Sequence, residues 1–129
     1  MKTEFSRKWK SSKQPRKQRK YLAKAPLHIK HKLLSAHLVK ELIKKYKRRN
    51  FPVRKGDKVI IMSGQFKGIN GNVNKINLRK TRIYIDGVEI IKKDGTKSFY
   101  PIHPSKVMIK EFILDDKERK KALERLIAK

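Results

Sequence analysis

From Val53 onward the chain is written in short β-rich runs punctuated by turn dipeptides. This punctuation limits the possible folds more than any other feature. The runs are Val59–Met62, Val73–Ile76, Arg82–Ile85, Val88–Ile91, Ser98–Tyr100 and Val107–Ile109. Between them stand Asn70-Gly71, Asp86-Gly87 and Asp94-Gly95. Such pairs favour type I′ turns, because glycine accepts positive φ and Asn or Asp tolerates it. Asp86-Gly87, between two runs rich in valine and isoleucine, gives the strongest hairpin signal. Five or six strands this short do not make an ordinary sandwich, and a small, strongly bent barrel is the natural way to close them. The expected class is therefore mainly β, with the barrel over residues 51–110.

The flanks have a different grammar. Leu38, Val39, Leu42, Ile43 and Tyr46 recur at helical spacing, which predicts a helix over 33–46 with Ser35 as N-cap, inside a unit spanning 33–50. Pro52 prevents continuation. Residues 111–129 predict a second helix, in which Asp115 and Glu118 form a capping box. Ala122, Leu123, Leu126 and Ile127 make its apolar stripe, and Lys117, Arg119, Lys120, Lys121 and Arg125 its cationic face. Residues 1–32 form a basic extension. Its first 25 residues show no hydrophobic period, bury too little to offset the entropy of ordering, and are expected to be disordered alone.

Charge is the second constraint. Lys and Arg number 37 against 11 Asp and Glu, a formal net charge of +26. Residues 1–50 carry +16 of this, residues 51–109 +8 and residues 110–129 +2. A compact state of such a chain works against its own repulsion until a polyanion neutralises it, and nucleic acid is the commonest polyanion. The most basic stretch lacks the apolar face of a membrane-surface helix. No run approaches the ~18 apolar residues of a span, and no signal-peptide core follows the N-terminus. The expectation is a cytosolic protein with no membrane partner. With no cysteine, disulfides and thiolate zinc sites are excluded.

One loop carries the sharpest local signal. After Arg54-Lys55-Gly56-Asp57-Lys58-Val59 comes Ser63-Gly64-Gln65-Phe66-Lys67-Gly68-Ile69-Asn70-Gly71, three glycines around a lysine. Glycines let backbone amides approach a phosphate, and equally they shape a tight β-turn; the spacing does not separate the two. The loop is neither a P-loop nor a dinucleotide fingerprint. Residues 53–77, VRKGDKVIIMSGQFKGINGNVNKIN, resemble the KOW motif of ribosomal and transcription-elongation proteins. The resemblance extends through residues 25–57, the IHPSKVMI stretch at 102–109 and the DDKERKKALERL tail at 115–126. These are similar to the archaeal and eukaryotic form of the universal L-twenty-four family of ribosomal proteins, called L-twenty-six in eukaryotes. The glycine loop lacks the extra residues of the eukaryotic members, and the chain has an extension that bacterial members lack, so it resembles the archaeal type.

That resemblance implies an SH3-like barrel bound to the 5′ region of large-subunit rRNA, near the polypeptide exit tunnel, acting early in subunit assembly. It implies rRNA and neighbouring large-subunit proteins as partners, no homo-oligomer, a place in cytoplasmic ribosomes, no cofactor and no enzymatic activity. The residues agree: no Ser/His/Asp or Cys/His arrangement is present, and no carboxylate pair sits in a recognisable cleft. The competing readings are a KOW-type transcription-elongation factor, for which a second domain has no room, and a nucleoid DNA-binding protein.

Expected RNA contacts follow the basic residues and the loop. In the extension they are Arg7, Lys8, Trp9, Lys10, Lys13, Arg16, Lys17, Arg19 and Lys20, then His28, Lys30, His31 and Lys32. Further along they are Arg48, Arg49, Arg54 and Lys55, the loop residues Gly64, Lys67 and Gly68, and finally Arg79, Lys80 and Arg82. Trp9 stands between two lysines with nothing near in sequence to pack against, which favours stacking on a base. Phe5 and Tyr21 are weaker versions of the same idea. Phe66 fits an exposed contact or a barrel cap equally. His28, His31 and His37 have no cysteine and only Glu41 near, so no metal site is expected, and phosphate contact or stacking is the better role for His28 and His31.

Overall fold

The computed structural model describes residues 4–127, so the outermost residues of the expected 1–32 and 111–129 segments lie outside the described residues. Its elements run α1 (Pro15–Lys24), α2 (Leu27–Leu33), β1 (Ser35–Leu38), α3 (Lys40–Tyr46), β2 (Asn50–Pro52), β3 (Lys58–Ile61), β4 (Asn70–Asn77), β5 (Arg82–Ile85), β6 (Glu89–Ile91), β7 (Lys97–Phe99), β8 (Val107–Glu111) and α4 (Lys117–Glu124). Single 3-10 turns occupy Arg7–Ser11 and Pro104–Lys106.

Strands make up 28% of the residues and helices 32%, so the fold is mixed rather than mainly β. The principal sheet has the order β2-β1-β8-β3-β4-β5 and does not close into a barrel. All its pairs are antiparallel except β1 with β8, where His37 faces Met108 and Leu38 faces Ile109. Alternation places Val59, Ile61, Val73, Ile83, Ile85, Val107 and Ile109 inside, each no more than 2% exposed. Leu34, Ala36, Leu38, Phe51 and Leu123 extend this core toward the two termini.

The expected helix over 33–46 is realised only at α3. Ser35–Leu38 alternates half-buried and buried positions, and Ala36 and Leu38 enter the core as strand residues. Ladder pairing with β2 and β8 outweighs the helical spacing, which Leu42, Ile43 and Tyr46 alone obey. Ser35 is consequently no N-cap; its hydroxyl donates to the Lys32 carbonyl at 2.7 Å. Helix α3 stops where Lys47 turns left-handed at φ 51°.

Two of the three turn dipeptides behave differently from expectation. Asp86-Gly87 turns the chain, with Gly87 at φ +83°, but β5 pairs with β4 and β6 pairs with β7. The turn is thus a corner between two sheets and not a hairpin. Asn70-Gly71 lies inside the β3–β4 ladder opposite Ile60 and Val59. A side chain at Gly71 would run into the Asp86 carbonyl, so that glycine is needed for close approach. Asp94-Gly95 does make a hairpin, β6–β7, in which Asp94 accepts from the Thr96 amide and hydroxyl at 3.0 and 2.7 Å. These bonds hold the Asp94 carboxyl below its ordinary pKa.

At the C-terminus the cap is Asp116, which accepts from the Glu118 amide at 2.9 Å, rather than Asp115. Leu123 is fully buried and Ala122 half-buried, but Leu126 and Ile127 lie beyond the helix and are exposed. Arg119, expected on the cationic face, is 3% exposed.

Candidate nucleic-acid interface

The extension departs from its expected lack of structure, and the reason is aromatic. Phe5 packs edge-on against Trp9 at 6.1 Å between centroids and tilts onto Tyr21 at 5.4 Å, while the Lys20 ammonium stands 5.9 Å over the indole. Gln18 closes the unit by donating to the carbonyls of Trp9, Lys10 and Ser12 at 3.3, 2.9 and 2.7 Å. Trp9 therefore has partners within the chain and is half-buried, contrary to the isolation inferred from its neighbours in sequence. Pro15 at the first position starts α1, which buries no residue. Arg7, Lys8, Lys10, Lys13, Arg16, Lys17, Arg19 and Lys20 all remain exposed around this small cluster.

Three concave regions gather most of the remaining expected contacts. The first is a groove of about 970 Å³ lined by His31 and Lys32 of α2, Arg48, and Arg54 and Lys55 from the β2–β3 connection. Its apolar side includes Phe51, Pro52, Ile76, Leu78 and Ala122, and the Arg48 guanidinium rests 5.5 Å over the Phe51 ring. Arg54 is not free: it pairs with Asp116 at 2.5 Å, and this bond, more than the Glu118 amide, lowers the Asp116 pKa. His28 and Arg49 are exposed, Lys30 is half-buried, and none of the three lines the groove.

The second region, of about 360 Å³, lies against the glycine loop and includes Ser63, Gly64, Arg82, His103 and Lys106. Gly64 and Gly68 adopt φ +99° and +87°, and a side chain at either would meet no neighbouring atom within 4 Å. Conformation and not crowding therefore demands glycine at both, and Lys67 between them is exposed. Phe66 packs against the core and stands 5.2 Å from the Tyr100 ring, which is the capping role. The third region joins Arg19 of α1 to Arg79 and Lys80 of the β4–β5 turn and Arg82 at the start of β5, with His103 at its border.

His103 and Lys106 were absent from the expected contacts, although both belong to the HPSKV segment. His103 caps the Pro104–Lys106 turn, its Nδ1 accepting from the Ser105 amide at 3.2 Å. Partial burial lowers its pKa first, and repulsion from Arg82 and Lys106 lowers it further. Burial and the two neighbouring cations oppose charge on the ring, and a bound anion would offset the cations.

A different pair of residues holds this surface together. Asp57 is fully buried and takes a two-pronged contact from Arg119, Nη1 to Oδ1 at 2.7 Å and Nη2 to Oδ2 at 2.5 Å. The same carboxylate accepts from the Arg54 and Ile113 amides, and Arg119 also donates to the carbonyls of Ile113 and Pro52. Its guanidinium lies between the Phe51 and Phe112 rings, 5.7 and 5.1 Å from their centroids. This network pins α4 beside the first groove. Its signal in the sequence is that Arg119 stands one helical turn before the core residue Leu123.

Among the described residues no group of His, Asp and Glu is placed to hold a metal, and no helix is long and apolar enough to cross a membrane.

A family profile of ribosomal proteins, described as eukaryotic L26 together with its archaeal counterpart of the L-twenty-four type, matches residues 12–126. The large ribosomal subunit protein uL24 of Methanosphaera stadtmanae is 48% identical over 116 residues, a span covering 90% of this chain and 99% of that protein.

Proposed function

The chain belongs to the family of ribosomal proteins that unites eukaryotic L26 with its archaeal counterparts, and from that premise we propose that it anchors the 5′ region of large-subunit rRNA in the large ribosomal subunit. Membership makes it a structural component of the cytoplasmic ribosome, of archaeal type, and not an enzyme. The transcription-elongation and nucleoid readings find no support in the match.

The observation that carries rRNA binding is the distribution of charge over the fold. Nearly all the expected cationic contacts lie at the surface, while the buried Arg119 is matched by a buried carboxylate. Exposed cations that have no acidic neighbours are counterion sites that phosphates can occupy, and releasing those counterions drives binding. The folded extension, the first groove and the glycine loop would each contribute phosphate contacts, and the sheet would hold them at fixed spacing. We read the β3–β4–β5–β8 unit, with the Ile83–Ile102 bridge tying β5 to the segment that leads into β8, as an SH3-like barrel left open. The division at residues 32, 50 and 110 belongs to the same proposal, as does a position near the exit tunnel and an early role in assembly. Neighbouring large-subunit proteins would complete the contacts.

The experiment is cosedimentation on a sucrose gradient together with binding to the isolated 5′ region of large-subunit rRNA. The protein is expected to travel with the large subunit and to prefer this RNA over random duplex DNA as salt rises. Equal affinity for both at high salt would overturn the reading.

A further inference from the structure

We infer that the groove between α2, the β2–β3 connection and α4 is a pocket for one unpaired nucleotide of the bound RNA. The inference rests on the rRNA-binding reading and assigns a ligand to one part of that surface.

Two buried side-chain donors among the described residues lack a partner, Arg48 Nε and Arg119 Nε, and both arginines line this groove. A buried donor left unpaired costs stability, so two at one place mark a site that a ligand or ordered solvent completes. The Arg48 guanidinium is held over Phe51 at 5.5 Å, which fixes a flat cationic plane at the groove. Such planes stack on nucleobases. The half-buried side chains of Ile76, Leu78 and Ala122 supply apolar contact for the other face of a ring.

Charge complements this floor. His31, Lys32 and Lys55 border the groove against one acid, Glu118, whose carboxylate is engaged with Lys121 at 3.5 Å. A base on the floor would bring its 5′ and 3′ phosphates to these cations. The volume of about 970 Å³ falls within the range of small-ligand sites. A duplex cannot use it, because paired bases are stacked on one another and present no free ring face. Phosphate alone would leave the apolar floor uncovered. An acidic peptide could meet the cations but has no flat ring to place between Arg48 and the floor.

The test uses the full chain with labelled methyl groups, titrated with hexaadenylate, inorganic phosphate or a hexaglutamate peptide. Hexaadenylate is expected to shift the Ile76, Leu78 and Ala122 methyl signals, and phosphate to leave them in place. In parallel, Leu78→Trp fills the groove without altering charge, and Arg48→Lys keeps the charge but removes the plane and Nε. Each is expected to weaken binding to the 5′ region of large-subunit rRNA about tenfold, the scale of one lost base stack. Arg48→Lys also covers the case in which Leu78→Trp fails to fold. Unmoved methyls with rRNA affinity intact in both variants would overturn the pocket while leaving the rRNA reading in place. Absence of rRNA binding by the wild type would overturn both. Larger shifts with hexaglutamate than with hexaadenylate would assign the groove to a protein partner and sink the nucleotide.

Discussion

Helices α1 and α4 are both short and lysine-rich, and they use charge in opposite ways. Helix α1 buries no side chain and turns every cation outward. Helix α4 buries Arg119 with Leu123 and commits that cation to Asp57. The contrast separates two meanings of a basic residue. A cation without an intramolecular carboxylate is available to a polyanion; one enclosed with its carboxylate belongs to the fold. Composition does not distinguish them, but depth does.

The largest effect that can break this comparison is on stability. Arg119→Met leaves the Asp57 carboxylate buried and uncompensated, which should cost about 3–5 kcal/mol. Asp57→Leu combined with Arg119→Met should recover much of that loss, because no charge is then left alone. Chemical denaturation checks both. A single variant within about 0.5 kcal/mol of wild type would show that α4 is as free of the core as α1.

Next in size is removal of residues 1–24, a cut placed just before buried Ala25 and Ile29. The thermal midpoint should barely change, while affinity for large-subunit rRNA at moderate salt should fall by about a hundredfold, as lost phosphate contacts demand. Incorporation into large subunits, scored on gradients, should fall with it. Trp9→Ala should reproduce part of this by dissolving the Phe5–Trp9–Tyr21 cluster that presents α1.

Smaller still is the loop. Lys67→Ala should leave the fold intact and reduce the salt slope of binding by about one unit, one phosphate. Gly71→Val should instead lower stability with binding in step, because Asp86 blocks the new side chain.

The smallest effect is a proton. In the free protein His103 should titrate below the ordinary imidazole value, since burial and then Arg82 and Lys106 oppose its charge. Stability linked to the neutral ring is present above the unfolded pKa and is lost as pH falls through the folded one. Bound phosphates would offset the two cations, so the His103 pKa should rise on adding rRNA. Ring-proton shifts followed against pH measure it, and an unchanged midpoint would remove the second cleft from the interface.

The contrast between α1 and α4 also marks how far residues alone carried the reading. Strands such as β5, Arg82–Ile85, were legible because alternation and turn residues are local. Strand β1 was not, because Leu38 is followed by Val39, Leu42, Ile43 and Tyr46 at helical spacing, and only β2 and β8, distant in sequence, decide the matter. The Asp86-Gly87 corner misled for a similar reason: turn chemistry names the bend but not the strand that receives the chain. The exposure of cations such as Arg16 and Lys67 was legible from charge. Trp9 gained the Lys20 ammonium only when α1 folded back over it, with Phe5 bridging Trp9 to Tyr21, and Arg119 was hidden among lysines that look the same on paper.

The Asp57–Arg119 latch joins residues 62 positions apart, and β8, the central strand that joins β1 to β3, also comes late in the chain. During synthesis the N-terminus emerges first, so α1 and α2 are free in solution while the sheet still lacks its middle strand and its lock. A nascent chain in that condition exposes the edges of β1 and β3, the kind of surface on which chains aggregate. The early surplus of like charge opposes such contacts until β8 and Arg119 have been made. A leading segment so charged repels its own copies, and that repulsion works against aggregation of the unfinished domain.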